Sequence, residues 1–203
     1  HIFIISIVLI LIILGTFIYS IKVIQNQKNI GLAKSVERGL DIVFRSFESA
    51  IVLEDDLLLS KDSLLYFKKM LLKFKDNRHI WHINGWAPAC LGDHEKSIHF
   101  SRVMNCWGWA TWRNRWIKYT KSPESILNWK KNKKFQFDLQ NSGTFLTQVE
   151  DNFEGRKDTW AIFWYATIFD NNGMCISPSI SLIKNKGFDD SGTNTTGIIK
   201  QQQ

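Results

Sequence analysis

Residues 50–56 constrain the fold of this chain most, because an apolar run there ends in three consecutive carboxylates, in the order Ala-Ile-Val-Leu-Glu-Asp-Asp. Four apolar residues, two of them β-branched, are typical of a short strand that is buried on both faces. Such strands occur in parallel sheets that are covered by helices. The sequence therefore predicts an α/β fold in which Glu54, Asp55 and Asp56 directly follow a buried strand.

The three carboxylates are expected at the C-terminal edge of that sheet, where ligands bind in open α/β folds. They repel one another unless a cation or a hydrogen-bond donor lies close to them. Mg²⁺ or Mn²⁺ is the natural counter-ion, since these ions take oxygen ligands and are held by one or two carboxylates plus substrate phosphates. The alternative is a solvated acidic turn before a helix, because Asp and Glu favour helix N-termini.

A run without charged residues extends from Ile2 to Ile21 and is followed by Lys22 and Lys28. Its length matches the hydrocarbon core of a bilayer and predicts a membrane anchor, with the flanking lysines favouring a cytoplasmic catalytic part. Two alternatives are a pair of buried strands, because β-branched Ile dominates the run, and a misread upstream gene boundary. The first residue is His1 and not Met, so we expect a fragment or a processed form.

The amino-acid composition limits the kinds of ligand and partner that we expect. The net charge of +7 favours anionic partners such as nucleotide phosphates, nucleic acid or an acidic membrane surface. No recognition helix or aromatic-basic RNA motif accompanies this charge, so we expect no nucleic-acid partner. Nine Trp and 14 Phe indicate a deep cleft or a sugar-stacking surface, with most of these rings in the core. Three cysteines without a CxxC pair argue against a zinc site and fit a reducing compartment.

Helical and extended patterns alternate along the chain, as they do in layered α/β domains. Apolar residues spaced by four and three between positions 32 and 43 predict a helix before the first strand. Ser60 is predicted to cap the next helix, and residues 80–84 to form a second strand. A last helix is expected to start at residues 157–160, followed by a strand at 174–176.

Three segments are predicted as loops: residues 86–100, residues 141–157 and the tail from Asn185 to Thr193. Between the first two lies an aromatic cluster, residues 106–116, whose four Trp match neither a helix nor a strand period. Half of these indoles are expected to face a ligand, and the alternative is that two or more of them are core.

Several separated motifs agree in order and spacing with one family. They are Asn29-Ile30-Gly31-Leu32, Val52-Leu53-Glu54-Asp55-Asp56, Trp107-Gly108-Trp109-Ala110-Thr111-Trp112, Asp158-Thr159-Trp160-Ala161, and Asn185-Lys186-Gly187 with Ser191-Gly192-Thr193. Together they resemble bacterial GT-A-type glycosyltransferases of the family-2-like group. The Glu-Asp-Asp before an apolar helix is similar also to Golgi N-acetylglucosaminyltransferases. The resemblance covers residues 22–196 and leaves a hydrophobic segment, 1–21, and a tail, 197–203.

This resemblance implies a GT-A-like, Rossmann-like mixed sheet flanked by helices, and an inverting transfer of a sugar from a nucleotide-sugar donor, with UDP-sugars favoured. It also implies a divalent metal, Mn²⁺ or Mg²⁺, bound through the equivalent of an Asp-x-Asp motif. Asp56 looks like the metal ligand. Glu54 and Asp55 look like the residues that contact the nucleotide and the donor sugar.

The resemblance further implies that Asp158 is the catalytic base, which takes a proton from the hydroxyl of a glycan acceptor as it attacks. The alternative for Asp158 is a charge at a helix N-terminus with no role in chemistry. On the acceptor side, Gly108 and Trp109 are the expected contacts, because an indole face can stack on the apolar face of a sugar ring.

Two departures from the family pattern suggest a second interpretation. The strand and loop that hold the nucleobase normally precede a motif such as that at Asn29, so this domain looks N-terminally truncated. Relatives often carry a His in the tail, where this chain has Phe188 and Asn194. The alternative function is therefore an inactive remnant that binds a sugar or stabilises a membrane complex.

Overall fold

The structure is a computed structural model that describes residues 23–88 and 97–186. Within these residues, helices and strands alternate as a mixed α/β fold. In chain order the elements are α1 (Leu32–Phe44), β1 (Ser49–Val52), β2 (Leu57–Leu59), α2 (Ser63–Phe74), β3 (Ile80–Asn84), β4 (Ile98–Ser101), β5 (Trp109–Trp112), α3 (Arg113–Trp116), α4 (Pro123–Leu127), α5 (Lys131–Phe137), α6 (Phe145–Phe153), α7 (Ala161–Asp170), β6 (Met174–Pro178) and β7 (Ile183–Asn185).

The main sheet has five strands in the order β1-β5-β3-β6-β4, and a second, two-stranded sheet joins β2 to β7. Strand β5 is antiparallel to both of its neighbours, β1 and β3, whereas β3 and β6 are parallel and β4 is antiparallel to β6. Strands β1, β3 and β6 therefore run in one direction, and β4 and β5 run in the other. The expected mixed sheet flanked by helices is confirmed at this level.

The first strand is buried as predicted, but its neighbour is antiparallel and not parallel. Its burial has a different cause: helices cover both faces of the sheet. Ala50 and Val52 pack with α1 and α7 in one apolar cluster, and Ile51 and Leu53 pack with α2 in the other. Alternate residues of β1 thus enter opposite cores, which explains why the sequence reads as a continuous apolar run.

The helix predicted between positions 32 and 43 is α1, and its stripe is buried at Val36, Leu40 and Val43. Helix α2 begins at Ser63 and not at Ser60, because β2 lies between the carboxylates and the helix. Strand β2 was not predicted, since its partner β7 lies more than 120 residues away in sequence and its pairing leaves no local pattern. Strand β3 matches the predicted strand at residues 80–84.

The three predicted loops are only partly loops. The segment at residues 86–100 contains the start of β4, and residues 89–96 lie outside the described residues. The segment at 141–157 contains helix α6, whose first amides donate to the carboxylate of Asp138, at 2.8 Å from Phe145 N and 3.1 Å from Leu146 N. That cap lies seven residues upstream, too far for the usual helix-start pattern.

Helix α7 starts at Ala161, slightly later than predicted, and is buried almost all round. It is followed by β6, as expected from Met174 onward. The first residues of the predicted tail loop belong to β7, which ends at Asn185, and residues 187–203 lie outside the described residues. The predicted anchor at Ile2–Ile21 also lies outside them. No helix of the described ranges is long and apolar enough to cross a membrane.

Arg115 joins the end of α2 to the start of β3. Its side chain is only 4% exposed, and its guanidinium donates to the backbone carbonyls of Lys75 and Asn77, both at 3.0 Å, and of Ile80 at 3.3 Å. The guanidinium also lies 4.9 Å from the ring of Trp112. A buried guanidinium with several acceptors is a strong, directional tie between elements.

We expect Arg115→Ala to lower the free energy of unfolding by about 2–4 kcal/mol, because three backbone carbonyls, one of them in a buried hydrogen bond, lose a charged donor. Denaturant unfolding followed by circular dichroism measures this. Arg78→Ala, which removes an exposed arginine from the same turn, is the matched control and should change stability by less than about 0.5 kcal/mol. Equal losses for the two variants would contradict the role given to Arg115.

Candidate active site

The carboxyl ends of β1, β3 and β6 meet at one edge of the sheet, together with the start of β5. The register places Trp109 opposite Val52 on one side and opposite Asn84 on the other. The residues that follow Val52 and Asn84, and those that precede Trp109, therefore converge at this edge. We call it the carboxylate edge, because Glu54, Asp55 and Asp56 follow β1 there.

Glu54 is the most perturbed acid of this edge. Burial, and to a smaller extent the charges of Asp56 and Asp55, raise its pKa to about 7. Burial raises the pKa of the half-buried thiol of Cys106, and the negative charge of Glu54 adds to this effect. Cys106 packs against the apolar cluster to which α1 and α7 contribute.

Asp56 has one carboxylate oxygen, Oδ1, that is buried and has no hydrogen-bond partner among the described residues. Burial and the nearby charge of Asp55 raise its pKa, while a hydrogen bond with the side chain of Asn185 acts in the opposite direction. Strand β7 also holds the backbone here, since the amide of Lys186 donates to the carbonyl of Asp56 at 2.9 Å. An orphaned, buried carboxylate oxygen is unfavourable unless a cation or a donor reaches it.

Asp55 and Asp56 form a turn with Asp55 exposed, as in the alternative interpretation, but no helix directly follows this turn. They are followed by strand β2 and not by a helix, and α2 begins seven residues after Asp56. A helix N-terminus therefore does not explain them. The sequence did not assign a role at this site to Asn185, which belongs to the motif at the start of the tail. The pairing of β2 with β7 brings Asn185 to Asp56.

Gly108 lies at this edge, where two strand ends come very close. The amide of Gly85 donates to the carbonyl of Gly108 at 2.8 Å, and the side chain of Ile183 packs against both glycines. Gly108 has a φ of +62°, and a Cβ there would lie 3.0 Å from Ile183 and 3.3 Å from Leu53. Gly108 is therefore required by the backbone, independently of any contact with a substrate.

Trp109 does not offer a sugar-stacking face, contrary to the acceptor contact predicted from the sequence. Its side chain is fully buried and stacks between His82 and Trp160, with ring centroids 5.1 Å away on each side. The other interpretation of the aromatic cluster is correct for Trp109, Trp112 and Trp116, which are all core residues. Trp107 is only half-buried and packs edge-to-face with Trp86, at 5.3 Å and 82°.

A buried polar network fixes the segment that leads into Trp107. Asn84 accepts from the amide of Asn105 at 2.6 Å and donates to Ser177 at 2.9 Å, while Asn105 accepts from the amide of Trp107 at 2.8 Å. His82 accepts from the indole of Trp164 and contacts the carbonyl of Asn105 through Nε2. Burial lowers the pKa of His82 to about 3, so the ring is neutral and donates through Nε2.

Asp158 lies outside helix α7, three residues before its first residue. Its side chain is 60% exposed and forms an ion pair with Lys121. A Cβ placed on Gly31, the residue before α1, would lie 3.9 Å from Oδ2 of Asp158. The carboxylate therefore lies near the N-terminus of α1, where the helix dipole favours negative charge, and not at the α7 N-terminus that was the alternative.

The loop that carries Asp158 is tied to the end of α6. The side chain of Asn152 accepts from the amide of Thr159 at 2.9 Å and donates to its hydroxyl at 3.0 Å. Asp151 forms ion pairs with Arg156 and Lys157, each at 2.7 Å. Two residues after Asp158, Trp160 stacks on Trp109, which is level with the end of β1. The Asp158 loop thus leads into the apolar cluster to which α1 and α7 contribute.

The described residues hold no group of three or more His, Cys, Asp and Glu arranged to bind a metal. The carboxylate edge nevertheless fits a cation that takes only one or two protein ligands, because Oδ1 of Asp56 has no partner and Glu54 and Asp55 add negative charge. This is the usual arrangement for Mg²⁺ bound with substrate phosphates.

A surface cavity of about 310 Å³ lies elsewhere, lined by residues that include Arg102, Lys133 and Met174. Met174 begins β6, so the cavity lies at the opposite edge of the sheet from the carboxylates. Its lysine already forms an ion pair with Asp170. The chemistry-bearing residues are therefore at the carboxylate edge and not in this cavity.

A scan against protein-family models and a search of curated proteins find no match to the chain. The geometry of the carboxylate edge and of the Asp158 loop therefore carries the functional proposal.

The raised pKa of Glu54 predicts a specific pH dependence of stability. Between pH 4.5 and about 7 the folded state binds this proton more tightly than the unfolded state, so the wild-type protein loses stability as pH rises through this window, by at most about 3 kcal/mol. Glu54→Gln should remove this loss and be more stable than wild type at pH 8, but not at pH 4. Urea unfolding from pH 4 to 8 without added metal measures it.

Glu150→Gln, at an exposed position of α6, is the control for the loss of one carboxylate and should follow the wild-type pH curve. Parallel curves for wild type and Glu54→Gln would contradict the burial and repulsion described for Glu54.

Asn152 is predicted to hold the Asp158 loop in place. Asn152→Ala removes two hydrogen bonds to Thr159 and one to the carbonyl of Gln148, so amide exchange at Thr159 should accelerate at least about tenfold, which corresponds to about 1.4 kcal/mol. Thr147→Ala, an exposed change on the same helix, should leave that exchange rate unchanged. Unaltered protection of Thr159 in Asn152→Ala would show that the loop is held by other contacts.

Proposed function

We propose that this chain is a metal-dependent, inverting glycosyltransferase of the GT-A type, which moves a sugar from a nucleotide-sugar donor to a hydroxyl of a glycan or similar acceptor. The observation that carries the proposal is the buried, unpartnered Oδ1 of Asp56 beside Glu54 and Asp55, at the edge where β1, β3 and β6 end. Open α/β sheets bind their ligands outside the carboxyl ends of the strands.

In this proposal Asp56 holds Mn²⁺ or Mg²⁺, and Asp55 and Glu54 contact the nucleotide and the donor sugar. A bound divalent ion would neutralise the charge that develops on the leaving diphosphate. Glu54, with a pKa of about 7, can either donate a hydrogen bond to a donor hydroxyl or accept one, depending on its protonation. A UDP-sugar is the favoured donor, and nucleic acid is not an expected partner.

Asp158 is proposed as the general base. Direct inversion needs one carboxylate that takes the proton from the attacking hydroxyl, and no covalent sugar intermediate. Three features support this role: its side chain is accessible, its loop is tied to α6 through Asn152, and it lies near Gly31 at the N-terminus of α1. Lys121 and the N-terminus of α1 keep the carboxylate near its present position.

A second candidate is a non-catalytic protein that binds a sugar or stabilises a membrane complex. The ion pair between Lys121 and Asp158 favours it, because the lysine occupies the carboxylate that should accept the acceptor proton. A membrane-associated protein with a cytoplasmic catalytic part remains a prediction of the sequence, since the apolar segment lies outside the described residues.

The proposal predicts that UDP and Mn²⁺ bind together. Titration calorimetry of the wild-type chain should give cooperative binding, and Asp56→Asn should weaken metal-dependent UDP binding at least about tenfold, because the ion loses its ligand. Asp62→Asn changes an exposed carboxylate six residues later and is the matched control, with binding expected to equal that of wild type. No binding of UDP, GDP, dTDP or CMP with Mn²⁺ would contradict the proposal and favour the second candidate.

Asp158→Asn separates binding from chemistry. It should leave UDP and Mn²⁺ binding unchanged and slow sugar transfer by about 10²–10⁴-fold, because the attacking hydroxyl keeps its proton. Transfer is measured as release of UDP from a panel of UDP-sugars with methyl glycosides as acceptors. Undiminished turnover by Asp158→Asn would overturn the assignment of the base.

A further inference from the structure

The nine tryptophans fall into two groups by exposure. Six of them are at most 5% exposed, and three are half-buried, namely Trp86, Trp107 and Trp129. Trp129 packs with Phe137 and Phe169 beside α5, away from the carboxylate edge. Trp86 and Trp107 contact each other at the carboxylate edge. Trp86 lies two residues after the end of β3, and Trp107 lies two residues before the start of β5. Together they form a partly exposed aromatic surface.

The position of this pair is fixed by the backbone. Trp86 follows Gly85 and Trp107 precedes Gly108, and these two glycines are joined by the hydrogen bond of 2.8 Å. Neither glycine tolerates a side chain, because a Cβ on Gly85 would lie 2.7 Å from Ile183 and 2.8 Å from the carbonyl of Gly108. The two indoles are therefore held level with each other, one step beyond the paired strands.

Each indole is also supported from behind. Both pack against the apolar cluster that contains Leu53 and Ile183, and the amide of Trp107 is held by the side chain of Asn105. Leu53 is the residue directly before Glu54, so the same cluster supports the indoles and the first carboxylate of the edge. Rigid aromatic side chains that lose little freedom on binding are efficient contacts for a ligand.

We propose that Trp86 and Trp107 form the binding surface for one pyranose ring of the acceptor, in place of the buried Trp109. This inference rests on the proposed function and names the acceptor subsite of the same site. The two rings meet at 82° and make a corner. A puckered pyranose presents C–H groups on its face and on its rim, which suits two perpendicular indoles. A planar nucleobase is better held between parallel faces, so the geometry favours the sugar.

The test uses the full chain labelled with 5-fluorotryptophan. Of its nine fluorine resonances, those of Trp86, Trp107 and Trp129 are assigned with Trp86→Phe, Trp107→Phe and Trp129→Phe. The probes are the methyl β-pyranosides of glucose, galactose and N-acetylglucosamine, titrated with and without UDP and Mn²⁺. Uridine is the competing probe. Trp129, half-buried but distant, is the internal control.

We expect the Trp86 and Trp107 resonances to shift together and saturate with one dissociation constant for at least one pyranoside, while Trp129 does not move. Trp107→Ala should weaken that binding by about tenfold, with Trp129→Ala, as the matched variant, leaving it unchanged. The inference is overturned if no pyranoside moves the pair, if uridine alone moves it, or if Trp129 responds equally.

The outcome is separable from that of the proposed function, because donor binding is measured independently by calorimetry. Shifts of Trp86 and Trp107 without any nucleotide binding would support the sugar subsite and contradict the transferase. Nucleotide binding without any shift of the Trp86 and Trp107 resonances would support the transferase and contradict the sugar subsite.

Discussion

The burial of Trp109 is the contact on which the rest of the structure depends. Its indole stacks between His82 and Trp160, and its backbone lies opposite Val52 on one side and Asn84 on the other. One residue thus ties the sheet to the segment before α7 and sets the ends of β1, β3 and β5 level. A fully buried indole contributes a large apolar area, so this arrangement tolerates little displacement.

The carboxylate edge is electrostatically unfavourable without a ligand. Burial and mutual repulsion raise the pKa values of Glu54 and Asp56, and Oδ1 of Asp56 lacks a partner. Folded proteins accept such a cost mainly at functional sites, where a cation or substrate relieves it. Asp158 is different: it is accessible and carried by a tied loop, as the proposed general base must be, and its ion pair with Lys121 has to open before it takes a proton.

The local sequence pattern was sufficient to predict α1, β1 and β3. Their apolar residues follow a clear pattern, and polar residues or glycine mark their ends. It failed for β2 and β7, because neither strand has a pattern of its own and each depends on the other across the chain. The same long-range pairing hid Asn185 as the partner of Asp56. The sequence singled out the carboxylates because three acids directly after a buried strand are unusual. It did not show which indoles are buried, so it did not distinguish the buried Trp109 from the half-buried Trp107.

The central claim is that the carboxylate edge binds a divalent cation together with a nucleotide. Anomalous diffraction at the manganese edge from crystals grown with Mn²⁺ and UDP tests it most directly. The account predicts a manganese peak bonded to the carboxylate of Asp56, with the diphosphate of UDP on the opposite side of the ion and Asp55 or Glu54 within contact of the nucleotide. A crystal that contains UDP or Mn²⁺ only at other positions, such as Asp151 in the last turn of α6, would contradict it.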